Sequence, residues 1–162
     1  MDEQVVWKLR AWDDQGVQDE FLAGGFVAVG SDDIPVDDGP TDDSLRDRLY
    51  RAHPDRSDAA IGTFVRYWRS FLTDMEPGDL VMLSLLDRRV AVGRVLGAFR
   101  YVPDAPEPRT RCRRAVEWIS EPFDRSTLPA DLRRVANAPG TIGRVRADDA
   151  AQRLLAVVLA EC

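Results

Sequence analysis

Pro77-Gly78-Asp79-Leu80-Val81-Met82, then Val90-Ala91-Val92-Gly93-Arg94-Val95-Leu96-Gly97-Ala98-Phe99-Arg100-Tyr101, then Arg113-Arg114-Ala115-Val116-Glu117-Trp118 are the stretches that decide the fold. Each is an apolar, β-prone run bounded by turn-forming residues, and such runs read as strands. The first strand is expected over Leu80–Leu86 and the second over Arg89–Arg100, with Asp87 and Arg88 as a tight turn between them. Gly93 and Gly97 inside the second run predict bulges where a barrel bends. Arginines crowd the loop between the second and third runs. The pattern predicts a small β-barrel with a positively charged rim, an architecture for binding.

Outward from this centre, Val5–Arg10 and Phe26–Gly30 read as two further strands, with a short helix from Val17 to Ala23 between them. An acidic loop, 31–43, carries Pro35, Gly39 and Pro40. Thr41 is placed to cap a helix over 42–52, and Ser57 a second over 58–72. In the second, Ile61, Phe64, Val65, Trp68, Phe71 and Leu72 fall on one helical face. Beyond the strand at 112–119, the spacing predicts a short helix over 128–135, an edge strand near Gly140–Gly143 and an amphipathic helix over 148–159. No repeat or long linker divides the chain, so a single domain over 1–162 is expected.

Composition narrows the function. The 162 residues are 44% hydrophobic and 31% charged, typical of a soluble globular protein. No window approaches 18 uninterrupted apolar residues, the acidic N-terminus lacks a signal-peptide profile, and a cytoplasmic location is expected. Cys112 and Cys162 lack metal-ligand spacing and read as thiols of a reducing compartment. The net charge of −6 is unevenly spread. Residues 1–60 hold 15 acidic and 6 basic side chains, whereas 61–162 hold 13 and 16. Within 88–114, eight arginines face only Asp104 and Glu107. Screening over about 8 Å lets such a patch hold phosphates on an acidic protein.

Catalytic patterns are lacking. His53 is the sole histidine and sits at a predicted helix end, where a cap is its expected role. Lys8 is the sole lysine, so no phosphate-binding Gly-Lys-Ser/Thr loop exists. The acidic pairs Asp13-Asp14, Asp32-Asp33 and Asp42-Asp43 are neighbours in loops, without fixed mutual geometry. Neither an enzyme nor a cofactor is expected.

Trp7-Lys8-Leu9-Arg10-Ala11, Phe26-Val27-Ala28-Val29-Gly30, Phe71-x-x-x-Met75-x-x-Gly78-Asp79, Val92-Gly93-Arg94-Val95-x-Gly97-x-Phe99-x-Tyr101 and Arg113-Arg114-Ala115-Val116-Glu117-Trp118 occur in one order along the chain. Together, over about 5–142, they resemble the EVE-like domain of the PUA superfamily found at the N-terminus of Mrr-type restriction endonucleases. The resemblance implies an α+β fold, a twisted, partly open barrel flanked by helices. It also implies a reader that flips a modified base into an aromatic pocket, as EVE and YTH relatives do. In Mrr-type proteins a separate nuclease domain cuts. The nuclease signature needs a downstream lysine, which this chain lacks. The expected partners are therefore DNA carrying a modified base, with RNA as the alternative, and a nuclease domain or subunit. No membrane partner is expected.

Candidate pocket residues are Trp12, Ser31, Asp32, Trp68, Tyr101 and Trp118. Trp12 stands in a polar loop where a large aromatic has no periodic reason to be. Ser31 and Asp32 occupy the place where relatives often carry a tryptophan. Trp68 and Trp118 also suit core packing, and Tyr101 ends the long strand. Arg10, Arg100, Arg111 and Arg113 are the candidate phosphate ligands. Two alternatives remain at this level: a small-ligand or nucleotide sensor controlling an effector, and an oligomerisation module built on the C-terminal helix.

Overall fold

The computed structural model describes residues 4–10, 12–29 and 41–161. Among these, the strands are β1 (Val6–Leu9), β2 (Phe26–Ala28), β3 (Leu80–Ser84), β4 (Arg89–Val95), β5 (Arg100–Tyr101), β6 (Cys112–Trp118), β7 (Phe123–Asp124) and β8 (Ile142–Arg144). The helices are α1 (Gln15–Gly24), α2 (Asp42–Ala52), α3 (Asp58–Arg69), α4 (Ala130–Asn137) and α5 (Ala150–Glu161). The strand order is β2-β6-β4-β3-β1-β8, with β5 on β6 and β7 on β4. Only the β1–β3 pair is parallel among the described pairings. The sheet curls into a half-barrel, and the fold class is α+β.

Both faces of the central strands are covered, so their sequences are continuously apolar rather than alternating. Trp7, Leu9, Val81, Leu83, Ala91 and Val95 face one core under α1, α2 and α3. Val6, Leu80, Met82, Val90 and Val92 face a second, under α4 and α5, where Leu132, Leu154 and Val158 meet them. Side chains alternate across a pleated strand, which is why neighbours in β1 and β3 serve different cores. Arg153 clamps α5 to α4 by two hydrogen bonds to Asp131, 2.6 and 2.7 Å long. These bonds hold the Asp131 carboxyl down at about 2.

Local chemistry sets most boundaries. Thr41 and Ser44 exchange capping bonds of 3.1 Å, and α2 begins at the expected place. His53 is the C-terminal cap of α2, its backbone N–H donating to Leu49 O at 2.8 Å. Asp87 and Arg88 both adopt the left-handed region, φ 62° and 59°, and close the β3–β4 hairpin as a tight turn without glycine.

Two expectations are corrected. Gly93 makes no bulge, since it pairs in register with Val81 and Trp118. A Cβ there would lie 2.2 Å from Val116 Cγ1 and 2.9 Å from the Trp118 ring, so glycine makes room for that indole. The strand breaks instead over 96–99, between β4 and β5. The helix expected to reach 72 turns into a wider π turn, Ser70–Asp74, after Arg69. Arg114 accounts for both departures. Buried at 2% exposure, it donates to Phe71 O at 2.8 Å, Leu72 O at 3.1 Å and Gly97 O at 3.0 Å. It thereby satisfies carbonyls at the helix end and at the strand break.

Asp79 fixes the parallel pair. Its carboxylate accepts from Trp7 Nε1 at 2.9 Å, Glu76 N at 2.9 Å and Val5 N at 3.4 Å. Asp79→Ala strands these donors and lowers stability by about 3 kcal/mol in chemical denaturation, with Asp79→Asn losing less.

Lys8 shares the second core's side of β1 and donates to Ala138 O at 2.8 Å and to Gly140 O. Burial, aided by Arg10, lowers its ammonium pKa to about 8 from 10.5. Between these values the unfolded chain holds the proton that the folded one has released, so stability rises with pH. Wild type gains on Lys8→Met as pH climbs from 8 to 10.5 in paired urea titrations. A pH-independent difference between the two would refute the assignment.

Candidate ligand site around Trp12

Past the end of β1 the chain turns sharply, and Trp12 takes φ 44°. That left-handed conformation is uncommon for a bulky side chain and persists only where neighbours impose it. Gln18, buried in α1, is the neighbour that does so. Its amide donates to Trp12 O at 3.0 Å and accepts from Leu86 N at 3.0 Å, tying the Trp12 loop to the β3–β4 hairpin. Asp14 caps α1, accepting from Gly16 N at 2.9 Å and Val17 N at 3.2 Å.

Arg109 completes the site from a 3₁₀ turn, Pro108–Thr110. Its guanidinium lies 5.4 Å from the Trp12 ring centroid, 3.1 Å from Asp14 Oδ2 and 2.8 Å from Glu107 Oε1. The Val17 amide and then Arg109 hold the Asp14 carboxyl below its ordinary range. Arg109 does the same to Glu107, and the two carboxylates raise the pKa of Arg109 in return. The Trp12 indole N–H is buried, yet no acceptor among the described residues reaches it. A buried donor without a partner loses about 1–3 kcal/mol, which an incoming acceptor would restore.

The sequence candidates separate by environment. Trp68 is 5% exposed and packs in the first core. Trp118 lies over Gly93 and donates its indole N–H to Phe21 O at 2.9 Å. Tyr101 is half-buried against the first core and stands opposite Cys112 in the β5–β6 pair. Ser31 and Asp32 lie outside the described residues. Arg10 forms a 3.7 Å ion pair with Asp13, and Arg100 is exposed opposite Arg113. Arg111 Nε donates to Ala105 O at 3.0 Å. Arg113 donates to Thr110 O and stacks 3.9 Å from the Phe26 centroid.

Sequence reasoning missed Gln18, Glu107 and the special place of Arg109. Arg109 carries no mark that separates it from seven neighbouring arginines, and its partner Asp14 is 95 residues away. Gln18 offers a faint signal, a polar residue on the helix face shared by Val17 and Phe21.

A family profile described as "Domain of unknown function (DUF8426)" matches residues 7–137. The chain belongs to that family. No curated protein matches it. Among solved structures it is similar to the YTH domain of the Zygosaccharomyces rouxii MRB1 protein, crystallised in complex with N6-methyladenosine RNA. The identity is 13%, over 97% of this chain and 88% of that one, with a TM-score of 0.49. It is also similar to protein Atu2648 from Agrobacterium tumefaciens, at 12% identity over 98% and 93% of the two chains, with a TM-score of 0.41. Among the described residues no cluster of histidine, cysteine and carboxylates could hold a metal ion. No described helix is long and apolar enough to cross a membrane.

The contrast between two indoles is testable. Trp12→Phe deletes a donor with no partner among the described residues and leaves stability within about 0.5 kcal/mol of wild type, whereas Trp7→Phe forfeits the Asp79 bond and loses about 2 kcal/mol. Equal losses in thermal denaturation would mean that the Trp12 N–H is satisfied.

Proposed function

We propose that the protein reads a modified base in DNA, flipping it out of the stack and packing it at Trp12. In this reading it is the specificity module of a restriction or phage-defence system, and a separate nuclease domain or subunit does the cutting. The observation that carries the reading is the indole of Trp12, held in a strained loop with its buried N–H unmet by any acceptor among the described residues. A base edge rich in acceptors supplies what that donor lacks. The five motifs shared with EVE-like domains and the curled half-barrel support the same conclusion.

The energetics are consistent. Extruding a base costs a few kcal/mol. Stacking on an aromatic side chain returns about 1–3 kcal/mol, and arginine–phosphate contacts supply the rest. Tyr101, Ser31 and Asp32 are the proposed further lining, with Trp68 and Trp118 bracing the barrel behind it. Arg100, Arg111 and Arg113 are candidates for outer phosphate contacts. Discrimination of a methyl or hydroxymethyl group rests on pocket shape and edge hydrogen bonds, because so small a group adds little area.

The net charge of −6 favours a second reading, a pocket for a free nucleotide or another small ligand that controls an effector. Salt separates the two, since DNA binding weakens steeply as salt rises and a neutral-ligand pocket barely responds. The test is a fluorescence titration of matched duplexes, plain and carrying methylated or hydroxymethylated bases, with the same modifications in RNA. Tighter binding of one modified DNA, lost at least tenfold in Trp12→Ala, is the expected result. Equal affinity for modified and plain strands would refute base reading, and preference for the RNA series would change the partner.

A further inference from the structure

Arginine is abundant here, but few arginines have both a fixed place and an outward charge. Arg111, Arg113 and Arg114 are tied to backbone carbonyls, and Arg109 is held by two carboxylates. A different set gathers where β1 ends, around the β3–β4 hairpin. Arg88 stands exposed at the hairpin tip. Arg125 is anchored against that hairpin. Its backbone N–H donates to Arg88 O at 2.9 Å, Nε to Arg89 O at 3.2 Å and Nη2 to Leu85 O at 2.7 Å, while Nη1 reaches Asn137 at 2.9 Å. Arg10 is pinned through its backbone to Thr141 O at 2.7 Å, and its side chain forms a long 3.7 Å ion pair with Asp13.

Gln18 binds this rim to the proposed base site, since one amide spans Trp12 and Leu86. Gln18 thus ties Trp12 to the hairpin that carries Asp87 and Arg88, and all three are non-glycine residues at positive φ. Strained backbone of this kind concentrates at functional sites. The charges also act on one another. Burial and then Arg10 and Arg88 lower the pKa of Arg125, against the opposing pull of Asp124 and Asp13.

We infer that Arg10, Arg88 and Arg125 form a phosphodiester-binding rim beside Trp12, with an incoming phosphate displacing Asp13 from Arg10. The inference rests on the reading that a nucleic-acid strand enters at Trp12, and it adds Arg88 and Arg125 to the candidates that sequence suggests. Arg10 and Arg88 donate to the phosphate oxygens. Arg125, whose N–H groups are already engaged, contributes a fixed positive field.

Fluorescence anisotropy with labelled oligonucleotides, plain and modified, over a salt series from about 50 to 200 mM tests the rim. Arg88→Asn suits the left-handed turn while removing the charge. It and Arg10→Gln each reduce the slope of log K against log salt by about 1. Asp13→Asn removes a competitor and tightens binding, and Arg66→Gln, on the exposed side of α3, leaves the slope unchanged. Thermal melts confirm that each variant is folded. Unchanged slopes in Arg10→Gln and Arg88→Asn, with preference for a modified base intact, would overturn the rim and leave base reading standing. Reduced slopes without any such preference would keep the rim and end base reading. No oligonucleotide binding at any salt would overturn both.

Discussion

The carboxylate of Asp79 is the interaction on which the remaining geometry depends. A parallel strand pair has no hairpin to set its register, so something else must do so. Here one buried side chain accepts from Trp7 and Val5 of the N-terminal segment and from Glu76 of its own turn. With that end of β1 fixed against β3, Leu9 lies opposite Leu83, and the chain emerges beside the β3–β4 hairpin. Gln18 can then span Trp12 and Leu86. Asp79 thus positions a site at the opposite end of the strand that carries it.

Arg114 solves a second problem. The break between β4 and β5 and the π turn that follows α3 both leave carbonyls without their usual partners. One guanidinium, with its several donors in a plane, serves Phe71, Leu72 and Gly97 together. Lysine's three N–H donors radiate from one nitrogen and lack the planar fork that reaches acceptors spread this widely. The arginines from 109 to 114 are therefore largely scaffold, whereas Arg88 and Arg100 of the same row are exposed.

Trp12 combines two unfavourable features in one residue, a left-handed backbone and a buried indole N–H that no acceptor among the described residues reaches. Gln18, Asp14 and Arg109 hold it so.

Local signals made much of the fold legible. Thr41 and Ser57 cap their helices where expected, α3 carries a clean apolar stripe, and the Asp87-Arg88 pair forms the tight turn. Trp12 stood out in the sequence as an aromatic in a polar loop, and the structure packs it, partly buried, against the first core. Interactions across long sequence separations were not legible. The Arg109–Asp14 tie spans 95 residues, Gln18–Leu86 spans 68, and Arg114 reaches back 43 to Phe71. Composition displayed a row of arginines as one patch, but only the tertiary structure divided it into those that satisfy carbonyls and those that face outward. The reason is physical: propensity, capping and periodicity are properties of neighbouring residues, whereas hydrogen-bond partners are allotted only when distant segments meet.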